Sequence, residues 1–271
     1  VDGATFEWDS DGSTSTRATL LANAPTATRH TLVSTPDRHL LFFGTETTIG
    51  TTSTQDDMFI RWSDQESIDA STSYAPSATN TAGTQRLADG TRIIAAIRGR
   101  DAIYVWTDHA LFIMRFVGAP FTFSFQQVGT GCGLIGKNAA VEVDGSAYWM
   151  SENGFFRYTG KLESMACLVE DYVFDDLNTV PRNHIFAGLN NLFGEITWFY
   201  PGSGAASNNR SVTYNYMDST PERPVWTTST LARSSWSDSH IFGKPHGTEY
   251  DSSATSDSTV GNTDGVSTYY E

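Results

Sequence analysis

Cysteine is nearly absent from this 271-residue chain: Cys132 and Cys167 stand in separate segments without CxxC spacing. Neither a zinc knuckle nor a disulfide scaffold is indicated, and buried free thiols suited to assembly in a reducing cytoplasm are expected. Long hydrophobic runs are missing as well. No segment approaches the roughly 18 apolar residues of a membrane span, and the opening "VDGATFEWDSDGSTS" has no basic n-region or apolar h-region. Basic residues are few, 17 Lys and Arg against 31 Asp and Glu, for a net charge of -14. A phosphate-gripping surface would have to be built against the field of the whole molecule, so tight wrapping of nucleic acid is not expected.

Signatures of catalysis are also wanting. The six histidines, His30, His39, His109, His184, His240 and His246, show no H-x-H or H-E-x-x-H spacing, so no metal is expected. G-x-S-x-G does not occur. The Ser-x-Asp-x-Gly box of sialidase-type propellers is out of register, and its nearest approach, "DSDGSTST", lacks the aromatic. "GCGLIG", Gly131 to Gly136, fits G-x-G-x-x-G, but it runs through "KNAAVEVDG" into another strand. A dinucleotide turn needs a following helix N-terminus, so a glycine-rich crossing between strand units is expected and no cofactor. Asp171, Asp175 and Asp176 lie together beside apolar residues, but no carboxylate pair is marked out for glycoside cleavage. An enzyme is not expected.

What the chain has in quantity is short apolar runs, 13% aromatics and many turn formers. That texture predicts an all-β fold. Within it, Trp62-Ser63-Asp64 is echoed by Trp106-Thr107-Asp108 and by Met150-Ser151-Glu152, each 44 residues after the last. Trp149 adjoins the third copy, Trp198 sits in "EITWFY", and Trp236-Ser237-Asp238 follows about two periods beyond Met150. Between the echoes the strands fall in fours. "RIIAAIRG", "AIYVWTD", "ALFIMRFVG" and "FTFSFQQVG" form one unit, and "AAVEVDG", "SAYWMSENG", "FFRYTG" and "LESMACLV" form the next. A third runs "HIFAGLN", "GEITWFYPG", "RSVTYNYM" and "PVWTTST", and "EDYVFDDLN" between them reads as a short helix or turn. Asp144-Gly145 and Asn153-Gly154 are placed for type I′ hairpin turns.

A period near 44 with four strands per unit predicts a β-propeller. The repeated tryptophans would anchor the packing, and the carboxylates of Asp64, Asp108, Glu152 and Asp238 would bond to turn backbone. Residues 1–30 read as an extended polar connector and 31–271 as blades. The stretches 65–91 and 251–265 read as polar insert loops, the places where function is expected on a rigid scaffold. The ends read like those of a portion of a longer polypeptide.

The wording of "LVSTPDRHLLFFG", "DDMFIRWSDQES" and "SATNTAGTQRLADGTRIIAAIRGRDAIYVWTDHALFIMRFVG" resembles a family of tailed-phage proteins. "GCGLIGKNAAVEVDGSAYWMSENGFFRYTGKLESMACLVEDYVFDDLN" and "VTYNYMDSTPERPVWTTSTLARSSW" continue the resemblance across most of residues 31–245. The family is that of propeller-bearing tail hub or nozzle proteins, of the packaged-DNA-stabilisation and tail tubular type. The resemblance implies a structural virion protein, assembled in the host cytoplasm as a homo-oligomeric, commonly sixfold, ring below the portal and adaptor. Such a ring would contact other tail proteins or fibres and form part of the channel that retains and releases the genome, with DNA passing it without sequence-specific binding. The alternative is a carbohydrate-binding or carbohydrate-active propeller, as in a receptor-binding tail component or a glycosidase, with exposed aromatics stacking on sugar.

Overall fold

A computed structural model of the chain describes residues 3–8, 15–238, 244–249 and 268–269. Strand makes up 44% and helix 6%, so the class is all-β. The chain forms two compact units, residues 1–133 and 134–271.

In the first unit β1 (Phe6–Glu7) pairs antiparallel with β2 (Thr19–Leu20). Two four-stranded sheets follow. One is β3 (His30–Ser34), β4 (His39–Phe43), β5 (Phe59–Trp62) and β6 (Gly83–Arg86), and the other is β7 (Ile93–Arg98), β8 (Ile103–Thr107), β9 (Ala110–Gly118) and β10 (Thr122–Thr130). Each is an antiparallel meander in which strands pair with their sequence neighbours. In the second of these sheets the links are only two to four residues, too short for a parallel return, which would need a dozen or more.

The second unit repeats the plan with β11 (Ala140–Val143), β12 (Ser146–Ser151), β13 (Gly154–Tyr158) and β14 (Leu162–Ser164). The helix α1 (Glu170–Asp176) then leads to β15 (Phe186–Asn190), β16 (Glu195–Tyr200), β17 (Arg210–Asn215) and β18 (Trp226–Ser229). A last sheet holds β19 (Ser235–Ser237), β20 (His246–Thr248) and β21 (Thr268–Tyr269).

Burial is graded across each sheet. The second strands are covered on both faces: all five residues of β8 are buried, as are five of the six in β12. The fourth strands β6, β14 and β18 contain no buried residue. Leu41, Phe43, Ile60 and Trp62 of one sheet share a core with Ile93, Val105, Phe112 and Met114 of the next. Three of the four-stranded sheets thus leave their last strand at the rim, whereas β10 sends Phe123 into the shared core.

Several local expectations are changed by the structure. The 65–91 stretch is no simple polar loop. It contains β6, and Tyr74 within it is fully buried, its ring 5.4 Å from Phe42. One aromatic among polar residues makes no periodic signal, yet the buried Arg61 guanidinium holds the Tyr74 carbonyl at 2.8 Å and the Thr47 carbonyl at 2.8 Å. Residues 1–30 carry β1 and β2, and Leu21 and Ala24 pack with Phe42 and Tyr74. The 251–265 stretch lies outside the described residues. At Asp144-Gly145 both φ angles are positive, 49° and 83°, as a type I′ turn requires. The next hairpin differs. Ser151 pairs with Gly154, so Glu152 and Asn153 form the tip and Gly154, at φ 131°, opens β13.

Candidate functional site

The repeat residues occupy less equivalent places than their spacing suggests. Trp106 pairs with Leu111 and Met150 with Phe155, each at the end of a second strand before a two-residue tip. Those two copies correspond. Trp62, however, ends β5, the third strand of its sheet, and Trp236 lies on β19, a first strand. Second strands end at Phe43, Thr107, Ser151 and Tyr200, steps of 64, 44 and 49 residues. The first step is long because residues 44–58 and 63–82 are inserted between strands of the first sheet. The equal 44-residue spacing from Trp62 is therefore a coincidence of insert lengths.

Trp106, Trp149 and Trp198 are fully buried and Trp62 nearly so, whereas Trp236 is half-buried. Trp62 donates its indole N–H to the Thr81 carbonyl at 2.9 Å and Trp236 to that of Leu189 at 2.6 Å. The carboxylates work locally. Asp108 accepts from the Thr91 N–H at 2.8 Å, from the Thr91 hydroxyl and from the Arg92 N–H. Burial would raise its pKa, but these hydrogen bonds outweigh it and hold the carboxyl below the usual range. Asp238 accepts from Asn191 N–H at 2.8 Å, and Glu152 pairs with Arg182 at 2.5 Å.

Asp64 belongs to a denser network around His39, which sequence reading passed over because nothing in its spacing sets it apart. The Thr81 hydroxyl donates to Asp64 at 2.7 Å and lies 3.1 Å from His39 Nε2. With its proton committed to Asp64, Thr81 must accept from Nε2–H, which fixes the tautomer. Nδ1 is left as an acceptor without a hydrogen bond, 3.9 Å from Asp37, whose carboxylate also takes the Ser34 hydroxyl. The imidazole is fully buried against Phe116 and Phe123. Hydroxyl, imidazole and carboxylate are thus aligned, but the hydroxyl proton points away from the imidazole and the ring is sealed from solvent. The arrangement joins β4 to the segment before β6 and activates no nucleophile.

Burial is the largest influence on His39 and lowers its pKa, against the opposing pull of Asp37 and Asp64. In the unfolded chain the ring takes up its proton near pH 6.5, while in the fold it stays neutral to lower pH. The stability of the first unit is therefore full above pH 6.5 and falls as pH drops from there toward the folded-state value. The slope from this one proton is at most about 1.4 kcal/mol per pH unit. Urea midpoints at pH 7.5 and 5.5 should show the loss, and His39→Gln should remove that part of the slope. An unchanged slope in the variant would defeat the assignment.

The glycine motif sits where two backbones nearly touch. Gly131 has φ 68°. A Cβ on Gly133 would lie 2.1 Å from the Asp108 carbonyl oxygen, and one on Gly136 would lie 2.5 Å from that of Arg182. The motif leads to β11 and not to a helix, so it offers no ring of N–H groups to a pyrophosphate. The thiols are withdrawn too: burial raises the pKa of Cys132 and pushes that of Cys167 up to about 11. Among the described residues no group of three His, Cys, Asp or Glu is placed to hold a metal, and no helix is long and apolar enough to cross a membrane.

In the second unit a cleft of about 960 Å³ opens beside β15 and β19. Asn138, Asn183, Ser207 and Asn208 supply much of its polar wall, with His184 and Arg233 between them and Phe186 and Trp236 as its aromatic sides. No protein-family model matches the chain, and no curated protein does.

Proposed function

We propose that the chain is a structural protein of a bacteriophage tail, a β-propeller of four-stranded blades that assembles as a ring below the portal and adaptor. The observation that supports it most is the succession of first strands lying side by side. The His30 imidazole of β3 meets the Ala96 carbonyl of β7 at 2.9 Å. Ala187 of β15 donates to the Asn138 carbonyl just before β11 at 2.8 Å. Gly188 of β15 lies against the Trp236 indole of β19. First strands adjacent and last strands at the rim are what a propeller requires of its blades.

Such a body is rigid and presents many loops to ring neighbours. At a net charge of -14 it would repel phosphates along a channel, so that DNA slides past and does not adhere. Asp64, Asp108 and Asp238 accept from turn backbone and Glu152 pairs with Arg182, in keeping with a structural role for the repeated carboxylates. The resemblance across residues 31–245 supplies the tail setting, the sixfold ring and the portal, adaptor and fibre contacts. No membrane and no cofactor enter this reading.

Electron cryomicroscopy of the assembled virion, with focused reconstruction on the tail axis, tests it. Density fitting this chain in a closed ring around the channel is the expected result. Density only at the tail periphery, or on no part of the virion, would overturn it.

A further inference from the structure

We propose that the cleft beside β15 and β19 is a binding site for a neutral oligosaccharide, a function beyond that of a ring scaffold. Its lining sets the ligand's chemistry. The chain carries 31 Asp and Glu, yet no described residue lining the cleft is either of them. A cationic ligand would therefore find no counter-charge there. Arg233 is 5% exposed, and its guanidinium lies 3.3 Å from the Glu249 carboxylate, so its charge is answered within the protein. An anionic ligand would gain little from it.

What remains is a set of neutral groups that both donate and accept. The side-chain amides of Asn138 and Asn183 and the Ser207 hydroxyl have no hydrogen-bond partner among the described residues, and both amides are exposed. Asn208 is 8% exposed; its amide N–H groups go to the His184 carbonyl at 2.7 Å and the Arg233 carbonyl at 3.1 Å, while its buried Oδ1 accepts nothing. A buried acceptor left unpaired is uncommon in folded proteins and calls for a partner. His184 donates Nδ1–H to the Ala206 carbonyl at 3.0 Å, which leaves its Nε2 as the ring atom available to a ligand.

Sugar hydroxyls, each a donor and an acceptor, match such a wall, and their C–H faces suit the half-buried Phe186 and Trp236. The volume of about 960 Å³ falls in the range of ligand clefts and suits roughly two to four linked hexoses.

The test is titration calorimetry of the intact protein with neutral oligosaccharides of hexose and N-acetylhexosamine units, alongside sialylated and uronate-containing counterparts. Binding of at least one neutral member is expected, weakened about tenfold or more by the double variant Asn138→Ala, Asn183→Ala. Both side chains are exposed and bond to nothing among the described residues, so the variant should melt like the parent. No binding, binding of acidic sugars alone, or neutral binding that the double variant leaves intact would each overturn the proposal. These outcomes do not depend on where the protein sits in a virion.

Discussion

Trp198→Ala should lower the unfolding free energy of the second unit by about 4 to 5 kcal/mol, at the upper end of what removing a buried large aromatic costs. Trp198 on β16 is fully buried, with ring centroids 5.0 Å from Phe155 of the preceding sheet and 6.1 Å from Trp226. Its indole N–H donates to the Ala139 carbonyl at 3.0 Å, just ahead of β11. Truncation opens a cavity between two sheets and removes one of the two hydrogen bonds that carbonyl accepts, the other coming from the Met150 N–H at 3.1 Å, and the cavity is not offset by water in so closed a place. Trp198→Phe keeps much of the packing and should cost clearly less. Denaturant unfolding of the three proteins measures both. A loss below about 2 kcal/mol for Trp198→Ala would mean that the two sheets do not depend on this side chain.

Gly133→Ala is the second large effect, about 3 kcal/mol in the first unit. The change adds one methyl group, and the reason it matters is what the methyl meets. All three nearest atoms, at 2.1, 2.3 and 2.6 Å, are backbone of Asp108 and His109 at the tip between β8 and β9. No side chain can rotate away, so the tip itself must move, and with it the Asp108 carboxylate that holds Thr91 and Arg92. Gly131→Ala offers a comparison from the same motif. Nothing lies within 4 Å of its added Cβ, and the cost there comes only from φ 68°, about 1 kcal/mol. If the two substitutions cost the same in a thermal or urea series, close approach is not what the second glycine provides.

These two positions also show how far a reading of residues can reach. The tryptophans at 106, 149 and 198 were identifiable as packing anchors because each sits in a run such as "AIYVWTD" or "EITWFY", apolar on both faces, which suits a strand covered on both sides. The role of "GCGLIG" in a close crossing was legible from the strand that follows it. The partner of Gly133 was not, because a contact with Asp108, 25 positions earlier, has no trace in local pattern. His39 and the cleft were missed for the same reason. Asn138, His184, Asn208 and Trp236 are unremarkable in sequence and become a wall only when β15 and β19 are brought together.

By itself the sequence determined the all-β class, the strands in fours and the Asp144-Gly145 turn, since alternation of apolar residues and turn chemistry act over a few neighbouring positions. It also set the acidic surface charge, which is a sum and needs no geometry. The tertiary structure alone decided which repeats are equivalent, since Trp62 ends a third strand and Trp106 lies on a second, and only the length of the 63–82 insertion sets them 44 residues apart. It likewise decided that Tyr74 is core and that the Thr81 proton belongs to Asp64. Those outcomes depend on contacts between distant segments, which exist only after the sheets have packed.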